Sequence, residues 1–413
     1  MLSDSPAAKR AGQADETIDG ERPLSVCLLN DAFPPQLDGV ATAVLNYAKV
    51  IESRFGKAVV STPSYPGAVD DYPFPVVRYP SFKMSRFSGY RTGLPVNPLA
   101  FRTLAGYHPD VLHCHCPTVS AVVARTLRRI TKAPIIMTYH TKFDIDIANA
   151  FESQFMRGVS AKVLVANIEA CDEVWAVSKG AGENLEQLGF RGTWRVMENG
   201  VDFPRGGADP GAVARLRCRL GVEAGQVVLL FVGRMFWYKG LRIVLDGLAK
   251  LKAQGVGFKM VFVGDGVDYD DVVAYAQVLG LAGDCVFAGA ETDRARLREY
   301  FSAADMFLLP STFDNAPVVV KEAAACGLAS VLIAGSSAAE GVEDGRNGVF
   351  IDGTADSLAA VLGGLADHPE RMRSLGAHAM NELYLSWEDS VARARQRYLE
   401  LLDERRAAGL NHR

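Results

Sequence analysis

No uninterrupted apolar stretch in this 413-residue sequence approaches the ~18–20 residues needed to cross a bilayer. The opening MLSDSPAAKRAGQADETIDGERP has no apolar core of the kind a secretory signal carries. It is polar and mixed in charge, and reads as a disordered tail over residues 1–22. The seven cysteines (27, 114, 116, 171, 218, 285, 326) form no C-x-x-C pair. That argues for thiols in a reducing compartment rather than a disulfide framework. There is no basic excess: 44 Lys and Arg face 48 Asp and Glu, a net charge of −4, so a nucleic-acid partner is not expected. No full G-x-G-x-x-G completes the GDG at 264–266, which speaks against a nicotinamide dehydrogenase. No G-x-S-x-G elbow surrounds Gly182 and Glu183, which speaks against a serine hydrolase.

What is present is alternation. Short apolar runs at 25–29, 58–61, 111–115, 134–139 and 173–178 are rich in Val, Ile and Leu. Continuous apolar runs of that length suit strands buried on both faces. Between them, Thr42–Arg54 and Thr118–Thr131 carry apolar residues at helical spacing. A Gly- and Pro-dense stretch, 200–211, is the best linker, and the alternation restarts beyond it at 227–233, 259–264, 285–289, 306–310 and 330–334. The expected fold is α/β, with two Rossmann-like doubly wound domains facing each other across a cleft. The expected boundaries are 23–204 for an acceptor-binding domain, 205–385 for a nucleotide-binding domain, and a C-terminal helix in 386–413 packing back towards the first domain.

Charge is unevenly spread. Between Tyr72 and Phe143 stand ten basic residues and one acidic residue, Asp110. In RYPSFKMSRFSGYR (78–91) the cations interleave with rings. Such a segment suits an anionic membrane surface, and equally a solvated basic face with core-facing aromatics.

Three segments carry chemistry. In VGRMFWYKG (232–240), Arg234 and Lys239 lie in a loop between a strand and a helix. Two cations beside the free N–H groups of a helix start make an anion site of diphosphate type. In STFDNAPVVVKEAAACGLASVLIAG (311–335), a loop with Asp314 leads into a helix with Glu322. Ionised carboxylates there accept hydrogen bonds from sugar or ribose hydroxyls. Eight residues of helix would separate them by ~12 Å, wider than the ~5–9.5 Å of glycosidase pairs. This favours two recognition roles over hydrolysis. In FPPQLDGVATAVLNYA (33–48), Gly39 lies between the first strand and a helix, where backbone N–H groups can approach a phosphate. The run His113-Cys114-His115-Cys116 looks like a metal site, but alternate strand residues point to opposite faces, so all four cannot converge on one ion.

Together with YHT (139–141), VSKG (177–180), ENGVD (198–202) and EDGRNG (343–348), these segments resemble the retaining glycosyltransferases of family 4, which have the two-domain GT-B fold. The resemblance runs from about Leu24 to the C-terminus. It implies transfer of a hexose from a nucleotide-diphosphate sugar, with UDP-hexose first in line, to a hydroxyl acceptor. Arg234 and Lys239 would neutralise the departing diphosphate, and Glu322 would bind the ribose. Asp314, with the backbone of Asn315, Ala316, Pro317, Val318 and Val319, would hold the donor sugar. Gly39 would approach the phosphates, and His140 would face the reacting sugar. No cofactor or metal is implied, because the cations take a metal's place. The family usually has Glu at Asp314 and Gly at Pro317; proline has no N–H to donate. GVATAVLNYA, YRTG (90–93) and TYHTKF (138–143) resemble bacterial enzymes that glucosylate diacylglycerol. That implies a lipid acceptor and a cytoplasmic protein, or one peripheral on the inner face of the plasma membrane. A soluble or polysaccharide acceptor, and a non-catalytic sugar-nucleotide-binding protein, are the alternatives.

Overall fold

The computed structural model describes residues 22–36, 38–83, 91–95, 97–140, 153–314 and 316–409. The chain divides into two compact units. One runs to Trp175 and takes in Leu188–Arg195 and Val391 onward; the other holds Ala176–Gln187 and Val196–Ser390.

The first unit is built on β1 (Leu24–Leu29), α1 (Gly39–Val50), β2 (Gly56–Pro63), β3 (Val76–Tyr79), a small β4–β5 hairpin (Ser81–Lys83, Arg91–Gly93), α2 (Pro98–Ala105), β6 (Val111–Cys114), α3 (Val119–Thr131), β7 (Ile135–Tyr139), α4 (Gln154–Glu169) and β8 (Glu173–Ala176). Then follow α5 (Lys179–Gln187), grouped with the second unit, and β9 (Arg195–Val196). The large sheet has the order β3-β2-β1-β6-β7-β8-β9 and is parallel from β3 to β7. The apolar runs become strands because both faces are covered: β1, β6 and β7 are almost wholly buried. The first helix begins at Gly39, earlier than its apolar spacing suggests, because the Asp38 carboxylate accepts from Ala41 N at 2.7 Å and caps it.

Two helical layers cover this sheet. Tyr47 of α1 and Tyr398 of the C-terminal helix (Trp387–Ala407) contact His113 on one face. Cys114, one residue on, donates to Ser120 O of α3 on the other. The C-terminal helix is tied in by Arg397, whose guanidinium binds both oxygens of Glu173 at 2.7–3.0 Å and also reaches Glu400 and Glu404.

The second unit comprises α6 (Pro210–Arg219), β10 (Val227–Val232), α7 (Leu241–Ala253), β11 (Phe258–Val263), α8 (Tyr269–Val278), β12 (Cys285–Gly289), α9 (Arg294–Ala303), β13 (Met306–Leu309), α10 (Val318–Ala325), β14 (Ser330–Ile333), β15 (Gly348–Ile351), α11 (Ala355–Ala366) and α12 (Pro369–Glu382). Its sheet has the order β12-β11-β10-β13-β14-β15, parallel throughout. Val201 and Phe203, inside the Gly- and Pro-dense stretch, are buried in this unit's core. The order reverses between β10 and β13, the switch point where open parallel sheets hold ligands.

Candidate active site

The loop after β10 is held from two sides. Met235 N donates to Asp265 O at 3.0 Å, and Trp237 N donates to the Asp268 carboxylate at 3.0 Å. Gly264 packs so tightly that a Cβ there would stand 1.9 Å from Gly233 O. A turn of 3₁₀ helix, Trp237–Lys239, ends at Gly240 with φ +80°, and a Cβ at Gly240 would stand 2.0 Å from Pro310 O. Only glycine allows both that backbone shape and that approach. The loop is thereby locked to the carboxyl ends of β11 and β13.

This locking places Lys239 beside Asp314. Their side chains form an ion pair, Nζ to Oδ1, at 14% and 16% exposure. The second oxygen of Asp314, Oδ2, is buried without a hydrogen-bond partner among the described residues. A buried acceptor without a donor is costly, so this oxygen is suited to a hydroxyl from a bound sugar. Arg234 stays exposed, its guanidinium 5.2 Å from the Phe236 ring centre. Just beyond, Pro317 caps α10 with no side-chain hydrogen bond. Val320 N donates to Pro317 O at 3.0 Å, and Ala316, Val318 and Val319 stand at the positive end of the helix. Asn315 lies outside the described residues.

Glu322 sits further along α10, on a different cation. Its Oε1 accepts from Arg294 at 2.5 Å, and Arg294 also binds Asp202 and stacks 4.2 Å from the Phe203 ring centre. Burial raises the Glu322 carboxyl above its ordinary range, against the opposing pull of Arg294. The two carboxylates thus serve separate cations, in keeping with separate roles. Arg294 was missed by sequence reasoning. It lies in a charged helix with no motif, and the packing of α9 on α10 brings it to Glu322. Asp202 carried a signal, since it stands in the ENGVD segment.

In the first unit the carboxyl ends of β6 and β7 bring His115 and His140 together, with Nδ1 and Nε2 3.0 Å apart. His113 shares their face; its Nε2 meets Thr138 Oγ1 at 2.7 Å and its Nδ1 meets Tyr398 OH at 2.6 Å. Neither neighbouring cysteine joins, and no cluster among the described residues is suited to a metal ion. Burial lowers all three imidazoles, His140 to about 3. They are therefore neutral at physiological pH. The ring-proton NMR shifts of His113, His115 and His140 are expected to stay constant between about pH 5 and 8, where a free imidazole titrates. A midpoint near 6.5 for His140 would show that its burial has been misjudged.

Gly39 opens α1, and a Cβ there would meet nothing within 4 Å. Neither packing against the described residues nor a positive φ calls for glycine at that position. Of the segment 78–91, Arg78 is occupied by Asp70 and by the Pro34 and Pro63 carbonyls, Tyr79 is buried, and Arg91 binds Ser81. Residues 84–90, and 141–143 of TYHTKF, lie outside the described residues.

Residues 37–205 match the model of Glycosyltransferase Family 4, and residues 214–381 match that of Glycosyl transferases group 1. The alpha-monoglucosyldiacylglycerol synthase of Streptococcus pneumoniae is 25% identical over 388 residues, covering 92% of this chain and 86% of that protein. The GDP-mannose-dependent alpha-mannosyltransferase of Corynebacterium glutamicum is 23% identical over 391 residues, covering 92% and 90%. Among solved structures, Anabaena Alr3699/HepE in complex with UDP and glucose superposes with a TM-score of 0.70 at 22% identity, over 92% of this chain and all of that one. The chain belongs to the family-4 glycosyltransferases and has their GT-B fold, with two Rossmann-like parallel sheets.

Proposed function

We propose that this glycosyltransferase moves a hexose from a nucleotide-diphosphate sugar, UDP-hexose in the first instance, to a lipid hydroxyl such as that of diacylglycerol, with retention and without a metal. The observation that carries the donor side is the locked loop holding Arg234 and Lys239 at the switch point, with Asp314 paired to Lys239. The bond from the sugar C1 to the diphosphate breaks while a bond to the acceptor oxygen forms on the same face. The proton of the acceptor hydroxyl passes to the departing phosphate. Charge that builds on the diphosphate is met by Arg234, Lys239 and the start of α10. The uncompensated Asp314 Oδ2 takes a sugar hydroxyl, and Glu322 takes the ribose once Arg294 yields an acceptor site. His140, neutral, is a hydrogen-bond partner for the sugar rather than a charge, and Gly39 admits the phosphates.

The S. pneumoniae relative supports diacylglycerol as acceptor, and the Anabaena structure supports UDP-glucose-type donors. A screen of UDP- and GDP-hexoses against diacylglycerol and soluble acceptors, read by mass spectrometry, tests the reading. Hexosyl-diacylglycerol as the main product is expected. Transfer confined to soluble glycans would reject the lipid acceptor, and a GDP-sugar preference would reject the donor.

A further inference from the structure

The helix α4 is apolar on two sides. Leu164, Val165 and Ile168 pack inward, while Phe155, Val159 and Val163 form an i, i+4, i+8 row towards solvent. Phe155 is 77% and Val163 59% exposed. A soluble surface helix ordinarily keeps that side polar. The helix α3 packs against α4, and α2 packs against α3. They continue the pattern, with Leu99 73% and Ile130 55% exposed. Cations stand among these side chains: Arg102, Arg129 and Lys162 are all exposed. Within the three helices the only acidic residue is Glu169, at the very end of α4. The helical layer on the opposite sheet face differs, for the C-terminal helix there carries five acidic residues (Glu388, Asp389, Glu400, Asp403, Glu404).

We propose that the outward face of α2, α3 and α4 is the surface by which the first unit rests on an anionic bilayer. The inference builds on the lipid-acceptor reading and moves the membrane contact away from the segment 78–91, whose described cations are largely spent on internal partners. An exposed apolar row flanked by arginine and lysine, and nearly free of carboxylates, matches the boundary between acyl chains and anionic headgroups. The apolar side chains enter that boundary, and the cations meet lipid phosphates. A second copy of this chain would bring the same cations against one another, which favours the bilayer as occupant.

The test is co-sedimentation with phosphatidylcholine vesicles, with and without phosphatidylglycerol, at low and high salt. The full chain is expected to bind the anionic vesicles at low salt and to leave them at high salt. Phe155→Ser with Val159→Ser and Val163→Ser is expected to lower partitioning at least about ten-fold. Arg129→Glu with Lys162→Glu is expected to lower it on the order of five-fold for each cation removed. Val278→Ser, on α8 of the second unit and equally exposed, should change nothing. All these positions are on the surface, so thermal melts should match the parent. Wild-type partitioning by the triple serine variant would overturn the proposal. So would an absence of vesicle binding, or a dimer in sedimentation velocity that the triple variant dissolves. Vesicle binding without sugar transfer to diacylglycerol supports the surface and rejects the acceptor. Transfer in detergent without vesicle binding does the reverse.

Discussion

Arg234→Ala is expected to lose about two to three orders of magnitude in kcat/KM for the nucleotide sugar with no change in melting temperature. Lys239→Ala is expected to lose as much and to melt earlier. The kinetic loss follows from removing one preorganised charge facing a departing anion, ~10²–10³-fold for a single such group. The difference in stability follows from what each side chain does in the resting chain. Arg234 is exposed, with its guanidinium over the Phe236 ring. Lys239 is mostly buried and is the cation against Asp314, whose other oxygen already goes unpartnered among the described residues. Removing Lys239 leaves a buried carboxylate without compensation, which costs about 3–5 kcal/mol at a fully buried site and less here, where water reaches the pair. Lys239→Ala combined with Asp314→Ala should restore the melting temperature without restoring turnover. Steady-state kinetics and calorimetry on the three variants decide the matter; near-normal turnover of Arg234→Ala would remove the diphosphate clamp from the mechanism.

A second large effect is expected at Arg294, and it should depend on pH. Burial raises Glu322, and Arg294 is the group that pulls it back down. An acid whose pKa is raised on folding binds its proton more tightly in the folded chain. Its stabilising contribution is therefore whole below the unfolded value and is lost as pH rises through the folded one. Arg294→Ala raises Glu322 further. The variant should accordingly be destabilised at neutral pH by up to about 3–5 kcal/mol, the cost of a buried charge left unpaired, discounted because Arg294 itself is 43% exposed, and by less in mild acid. Arg294→Ala with Glu322→Gln should recover much of the loss at neutral pH. Urea melts of parent, single and double variants at two pH values check this. A loss independent of pH would mean that Arg294 supports the unit through packing on Phe203 instead.

Element types were readable from the sequence because burial on both faces writes itself as unbroken apolar runs. The run 227–233 becomes β10, and 306–310 becomes β13. The loop positions of Arg234, Lys239 and Asp314 were readable for the same reason, since a strand end marks where a loop must start. Partnerships were not readable. Lys239 meets Asp314, 75 positions away, because β10 and β13 are neighbours with three strand–helix connections between them in the chain. Glu322 meets Arg294 because the successive helices α9 and α10, on either side of β13 in the chain, pack against each other. In the histidine run, the pleat sends His113 and Cys114 to opposite faces, as strand alternation requires. The pairing of His115 with His140 required the register of β6 on β7, which local spacing does not encode. Helix starts were displaced where a cap, as at Asp38, overrode hydrophobic periodicity.

The buried imidazoles of the first unit rest on a residue that follows the second unit in the chain. Tyr398 lies wholly buried, stacked 5.4 Å from Trp175 with its hydroxyl on His113. A nascent chain that has emerged as far as β9 therefore still has an open hollow beneath His113, although all seven strands of the large sheet are already available. That hollow is filled only after the whole of the second unit has been translated. Co-translational folding, which normally completes an N-terminal domain before its successor is made, must here wait for a segment that follows the second unit in the chain, and a stop after Ser390 would leave both the tyrosine and the Arg397 anchor unmade.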